Sequence, residues 1–252
     1  MTKTLLITGG ASGIGAETAR RAAGRGYRIA VNYRSRADQA EAIVAEIAGK
    51  GGQAVAVQAD MARESEIVRL FEETEKSLGP VTHLVNSAGI NGRNGRVDEY
   101  DAAILSNLFA VNVVGLMLCC REAARRMSTK HSGKGGAIVN VSSMAATLGG
   151  RTGSSAYAAS KGAVDAFTKG FAREAAGEGI RVNSVRPGMV TTEMTEGRLT
   201  DATFRARIES SIPMHRIGEA HEIAEAILWL LSDEASFITG AMLDASGGGY
   251  ML

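Results

Sequence analysis

Seven short apolar, β-branched-rich runs punctuate this chain, at Thr4–Thr8, Arg28–Tyr33, Ala54–Gln58, His83–Asn86, Ala137–Ser142, Arg181–Val185 and Ala241–Leu243, with longer amphipathic or small-residue-rich stretches between them. Runs of this length suit buried strands, and the longer stretches suit helices. Strand alternating with helix needs crossover connections, which make successive strands parallel and place helices on both faces of one sheet. At 252 residues with 45% hydrophobic content, the chain can bury one large core, so residues 1–252 are expected to form one domain. No Pro-rich or Ser-rich linker divides it, and it has only three prolines.

The first strand-to-helix connection narrows the fold further. Thr8-Gly9-Gly10-Ala11-Ser12-Gly13-Ile14-Gly15 follows an apolar run and opens a helical pattern. A pyrophosphate lying against a helix N-terminus needs backbone free of Cβ atoms. Gly9 can make the tight turn, Gly13 can admit phosphate oxygens, and Gly15 can let the helix pack against the strand. The expected architecture is therefore an α/β, Rossmann-type, doubly wound parallel sheet of about seven strands. The spacing is T-G-x-x-x-G-x-G, not the commoner G-x-G-x-x-G, and a ligand-free glycine turn is the competing reading.

Tyr157-Ala158-Ala159-Ser160-Lys161 sets a phenol and an ammonium at i and i+4, on one face of a helix. A lysine cation about 4 Å from a phenolate, at an effective dielectric of about 20, offers up to ~4 kcal/mol and lowers the tyrosine pKa. Upstream, the strand Ile138-Val139-Asn140-Val141-Ser142-Ser143 ends in two hydroxyls at the carboxyl edge, where open α/β sheets bind ligands. Side chains alternate along a strand, so one of the two serines is expected to serve the site. Asn86-Ser87-Ala88-Gly89 follows the fourth strand, and Asn112 interrupts an otherwise apolar helix. A buried amide there needs partners.

With these residues in this order, the chain resembles the short-chain dehydrogenase/reductase family in its compact form, over essentially its whole length. The shared features include Asp60 after the third strand, Arg186-Pro187-Gly188 with Thr192, and the closing Asp244-Ala245-Ser246-Gly247-Gly248. The resemblance implies that Tyr157 is the acid-base catalyst and that Lys161 lowers its pKa and holds the nicotinamide ribose. It implies that Ser143 polarises the substrate oxygen, with Ser142 a rival, and that Asn112 helps hold a water in a proton relay. For the cofactor it implies Gly9, Ser12, Gly13, Ile14 and Gly15 at the pyrophosphate, Asp60 and Met61 at the adenine, and Asn86, Ala88 and Gly89 along the cleft. Pro187, Gly188, Val190 and Thr192 would stand at the nicotinamide. Two departures stand out. Ser87 replaces the second Asn of N-N-A-G, and the Ser143–Tyr157 interval is one residue longer than the common spacing.

Enzymes preferring NAD usually end the second strand on an acidic residue that binds the ribose. Here Tyr33 is followed by Arg34, Ser35 and Arg36. An arginine fork suits a 2′-phosphate, so NADP(H) is the expected cofactor and Arg34 its expected reader, with NAD(H) as the alternative. A solvated helix start is the bland reading of Arg34 and Arg36.

Lys plus Arg number 28 against 27 Asp plus Glu, which gives no global field to draw nucleic acid. The longest nearly apolar stretch, Leu108 to Cys120, falls short of the ~20 residues that span a bilayer, so no membrane association is expected. The four histidines show no ligand spacing, so no metal is expected. Adjacent Cys119 and Cys120 are expected to be packing residues of a cytoplasmic protein. Apolar faces on Leu108–Cys120 and Ala156–Ala176 point to a homo-oligomer, and the family resemblance to a tetramer. The stretch without clear period, 191–218, is the expected substrate cover. Substrate choice is expected to lie there, in the loop after Gly89 with Arg93 and Asn94, and in the loop after Ser143. Arg173 is expected to be a solvated helix residue, although it matches a basic position of some acyl-carrier reductases.

The expected reaction is hydride transfer between nicotinamide and a small-molecule ketone or secondary alcohol. The competing functions are an NAD-dependent sugar or alcohol dehydrogenase and a non-catalytic dinucleotide sensor. A sugar-nucleotide epimerase is disfavoured by the glycine spacing and by the lack of room for a second domain.

Overall fold

The inner strands of the sheet run out of segments apolar enough to be buried on both faces, which requires helices above and below. The computed structural model describes residues 3–249. Its main sheet contains β1 (Thr4–Thr8), β2 (Arg28–Tyr33), β3 (Ala54–Gln58), β4 (His83–Asn86), β5 (Gly136–Val141), β6 (Ile180–Pro187) and β9 (Met242–Ala245). All neighbours are parallel, in the order β3-β2-β1-β4-β5-β6-β9. Strand order reverses between β1 and β4, and the carboxyl ends of these two strands open the crevice where such sheets take ligands.

Alternation along β1 assigns the two cores. Leu5 and Ile7 join one cluster with Val31, Val85 and Val139 under α1 (Gly13–Gly24), α2 (Ala37–Gly49) and α10 (Ala220–Leu231). Leu6 joins the other with Ala30, Leu84, Ile138 and Val182 under α3 (Glu64–Leu78), α5 (Leu116–Met127) and α7 (Ser155–Ala175). Cys119 and Cys120 are fully buried in this second core, and burial pushes the Cys120 thiol up to about 12. Both are packing residues.

The apolar helix is longer than the sequence pattern suggests. α4 (Ala102–Phe109) continues through a π-helical turn, Ala110–Gly115, into α5. The whole span, Ala102–Met127, has the length and composition to cross a bilayer. In the fold it lies on the sheet, with Leu116, Cys119, Cys120 and Ala123 buried in the core. Its Glu122 side chain is 3% exposed and pairs with Arg121, Arg125 and Arg126.

Two further segments differ from the sequence reading. β5 ends at Val141, so Ser142 and Ser143 lie beyond the strand. Residues 191–218 are ordered as α8 (Glu193–Leu199) and α9 (Ala202–Ser211) between two short paired strands, β7 (Val190–Thr191) and β8 (Gly218–Glu219). The cover has its own apolar cluster of Leu199, Ile208, Ile212 and Ile217. Asp201 begins α9 by accepting the Thr203 and Phe204 N–H groups.

Candidate active site

The cleft at the carboxyl edge encloses about 1170 Å³. Its first wall is the β1–α1 turn. Gly9 has φ +63°, and a Cβ there would lie 2.8 Å from Ala88 Cα. At Gly15 a Cβ would lie 2.4 Å from the Gly9 carbonyl oxygen, so this residue sets how closely α1 approaches the turn. Gly15 does not line the cleft, unlike Gly9, Ser12, Gly13 and Ile14.

Two polar residues to which the sequence reading gave no role hold this wall. Asn32, 2% exposed, accepts the Gly9 N–H at 3.1 Å through Oδ1 and donates to the Val57 and Ala59 carbonyls. Thr8 Oγ1 accepts the Ser87 and Ala88 N–H groups at 3.1 and 3.2 Å, tying the loop after β4 to the end of β1. Each is a polar residue inside an apolar strand, the one signal that could have found it.

Arg34, Asp60, Met61, Ala88 and Gly89 line the cleft. Arg36 also lines it but forms an ion pair with Glu193 of the cover. Asn86 is not where the sequence reading set it. It is 2% exposed and turned into the sheet, where Nδ2 donates to Asn140 Oδ1 at 2.9 Å and to Cys120 Sγ at 3.3 Å.

Tyr157 occupies the first turn of α7 and faces the cleft, with Lys161 one turn on. The Lys161 Nζ lies 5.7 Å from the Tyr157 ring centroid and donates to the Val141 carbonyl at 2.8 Å. Burial lowers the Lys161 pKa to about 8, partly opposed by Asp165. A cation held away from water beside the ring gains from any anion that develops on the Tyr157 oxygen.

The start of α7 is fixed from outside the helix. Its N-cap Ser154 makes no side-chain cap, and the Tyr100 hydroxyl instead accepts the Ala156 N–H at 3.1 Å and bonds Ser155 Oγ at 2.5 Å. Tyr100 was missed because its loop has no periodic pattern.

The two serines separate clearly. Ser142 is buried and its hydroxyl donates to the Lys161 carbonyl at 3.2 Å. Ser143 is half-buried, lines the cleft, and accepts the Ala145 N–H at 3.1 Å, which leaves its hydroxyl hydrogen to point elsewhere.

Asn112 stands one layer behind the cleft, inside the π-helical turn. Its amide clamps Ile90 through both backbone groups at 2.9 Å and donates to Ser160 Oγ at 3.1 Å. Ser160 in turn donates to the Tyr157 carbonyl at 2.7 Å. A Cβ on Gly89 would lie 3.4 Å from Asn112 Oδ1 and 3.6 Å from Lys161 Nζ, so the three converge.

The far wall is Pro187, Gly188, Val190 and Thr192, and beyond it the cleft is covered by Met194, Arg207, Ile208 and Ser211. Asn91 and Asn94 line it, whereas Arg93 faces a separate small hollow beside Tyr100 and Ala156. Arg173 is exposed on α7, outside the cleft.

Comparison with known proteins gives one consistent result. A family profile described as enoyl-(acyl carrier protein) reductase matches residues 9–250. The chain is 45% identical over 248 residues to the uncharacterized oxidoreductase YgfF of Escherichia coli, covering 96% of this chain and 98% of that one. It is 37% identical to the 3-oxoacyl-[acyl-carrier-protein] reductase FabG of Staphylococcus epidermidis, each chain covered in full. A short chain dehydrogenase of Burkholderia cenocepacia, solved in complex with NADP, superposes with a TM-score of 0.88 at 34% identity, covering 98% of this chain and 97% of that one.

Proposed function

Because the chain belongs to the short-chain dehydrogenase/reductase family, we propose that it is an NADP(H)-dependent oxidoreductase that interconverts a ketone and a secondary alcohol, with Tyr157 as its acid-base catalyst. One observation carries this reading: Tyr157, Lys161 and the free side of Ser143 meet in the cleft that the glycine turn opens.

The residues present fit the cofactor. The wall at Gly9 and Gly188 has no room for side chains, since a Cβ on Gly188 would lie 2.9 Å from Ser246 Cα. Arg34 lines the cleft and pairs with no described carboxylate, while its neighbour Arg36 is held by Glu193. Arg34 is thus the arginine left for a 2′-phosphate. The solved Burkholderia relative in complex with NADP supports the same choice. Bound NADPH supplies the hydride that reaches the carbonyl carbon.

The protein handles the proton and the charge. Tyr157 gives its hydroxyl proton to the carbonyl oxygen as that oxygen becomes an alcohol, and in oxidation takes it back. Lys161 stabilises the phenolate that remains. Ser143, its oxygen accepting from Ala145, donates its hydrogen to the same substrate oxygen. Asn112 supports a water in the return path of the proton from behind, while its amide fixes Ile90 and Ser160.

Tyr157→Phe tests the proposal. Turnover of a working ketone should fall by about 10²–10⁴-fold, with the NADPH dissociation constant changed by less than about threefold, read by absorbance and by fluorescence titration. Substantial residual turnover removes Tyr157 from this role.

The single-domain organisation, the cytoplasmic location and a homo-oligomeric state, with a tetramer expected, belong to the same reading. Exposed Phe237, Trp229 and Val114 support association. A monomer in sedimentation at micromolar concentration overturns it.

A further inference from the structure

Most arginines near the cover are matched to carboxylates: Arg36 to Glu193, Arg205 to Glu209 and Arg216 to Glu222. Arg151 and Arg207 are not. Neither forms an ion pair among the described residues, yet both line the cleft. They come from separate segments, Arg151 from the loop after α6 (Ala145–Leu148) and Arg207 from α9. Both converge on one ring: their guanidinium carbons lie 5.3 and 5.6 Å from the Phe204 centroid. Two like charges on one aromatic ring, with no ion-pair partner among the described residues, leave planar donors available. The same cleft is also lined by Met144, Leu148, Met194 and Ile208, which suits an apolar arm.

We propose that the substrate carries a carboxylate or phosphate at the end of an apolar arm, received by Arg151 and Arg207 while its carbonyl lies at Tyr157. This rests on the ketone-reductase reading above and adds the chemistry of the substrate's far end. Arg34 stands apart from the pair on the loop after β2, so one cleft offers separate unpaired cations to its two ligands. Each guanidinium contacts the Phe204 ring and lines the cleft, and each offers the planar fork that binds an oxyanion in bidentate fashion.

The test uses the full-length protein and a series of straight-chain methyl ketones of increasing arm length, each ending in a carboxylate, a phosphate monoester or a neutral methyl ester. With NADPH, the best anionic ketone should exceed its ester in kcat/KM by about tenfold or more, and the advantage should shrink as salt rises. In Arg151→Met/Arg207→Met the ratio of anion to ester should fall towards one. The same ligands are titrated calorimetrically into NADP⁺-loaded protein, so the preference is read even without turnover. Equal handling of ester and anion by the wild type across the series, or a preference that survives the double substitution, overturns the proposal. A carboxylate or a phosphate advantage identifies which anion the site takes. Failure of every ketone to oxidise NADPH, alongside tighter binding of the anions, would count against the reductase reading and leave the anion site standing.

Discussion

The two ends of the cleft are built differently. The nucleotide end is backbone and strand edge: Asn32 holds the turn at Gly9 and Thr8 holds the loop after β4 through part-buried hydrogen bonds. The substrate end is made of loops and the α8–α9 cover, whose apolar cluster is small and separate from the two main cores. A site on the sheet inherits the sheet's stability, whereas a site on an annex opens at the lower cost of a local event. Binding of a shared cofactor and choice of an individual substrate can therefore be governed by parts with different stability.

The sharpest way to break this comparison is to make the same truncation in both places. Ile138→Ala, in a fully buried strand position, should lower global stability by about 2–5 kcal/mol. Ile208→Ala in the cover should leave the urea midpoint nearly unchanged while raising the substrate KM. Equal losses of stability would mean that cover and sheet unfold as one unit.

A second test uses pH. The Lys161 pKa is lowered in the fold to about 8 from 10.5, so between these values the unfolded chain holds a proton that the native chain has lost. Stability of the cofactor-free protein should then rise with pH across about 8 to 10.5 relative to Lys161→Met. Urea denaturation of both proteins at a series of pH values checks the sign. A parallel pH dependence in the two would remove the buried cation from the explanation.

The smallest expected effect separates the two cofactors at the nucleotide end. Arg34→Ala should raise KM for NADPH by about tenfold and barely change that for NADH. Equal changes would mean that Arg34 is a solvated surface residue.

Much of the nucleotide end was legible because sheet edges leave periodic traces. The boundaries of β1 to β4 follow directly from their apolar runs. β6 extends to Pro187, beyond its apolar run, because Arg186 and Pro187 pair with Asp244 and Ala245 of β9, while the Arg186 side chain finds Asp165 at 2.8 Å. Hydropathy takes such a residue for a strand end. The cover read as irregular because its helices are short and mostly exposed, so no long apolar stripe marks them. The inward turn of Asn86, the outside cap from Tyr100 and the convergence of Arg151 with Arg207 depend on residues far apart in the chain. Local pattern does not encode such pairings. Lys161 and Tyr157 were legible because four residues of helix bring them onto one face.

The π-helical turn at Ala110–Gly115 acts as a vernier in the long helix. A regular helix advances about 100° per residue, and a π turn accommodates one extra residue. Removing a single residue there would make the hydrogen-bond ladder more uniform, yet it would rotate everything downstream out of phase with everything upstream. Either Asn112 would lose Ile90 and Ser160, or Leu116, Cys119, Cys120 and Ala123 would swing away from the core. An apparent imperfection of the backbone is thus what lets one helix satisfy two angular demands at once, and the length of this segment should be as constrained as its side chains at Asn112 and Gly115, where a Cβ would lie 2.1 Å from the Met61 carbonyl oxygen.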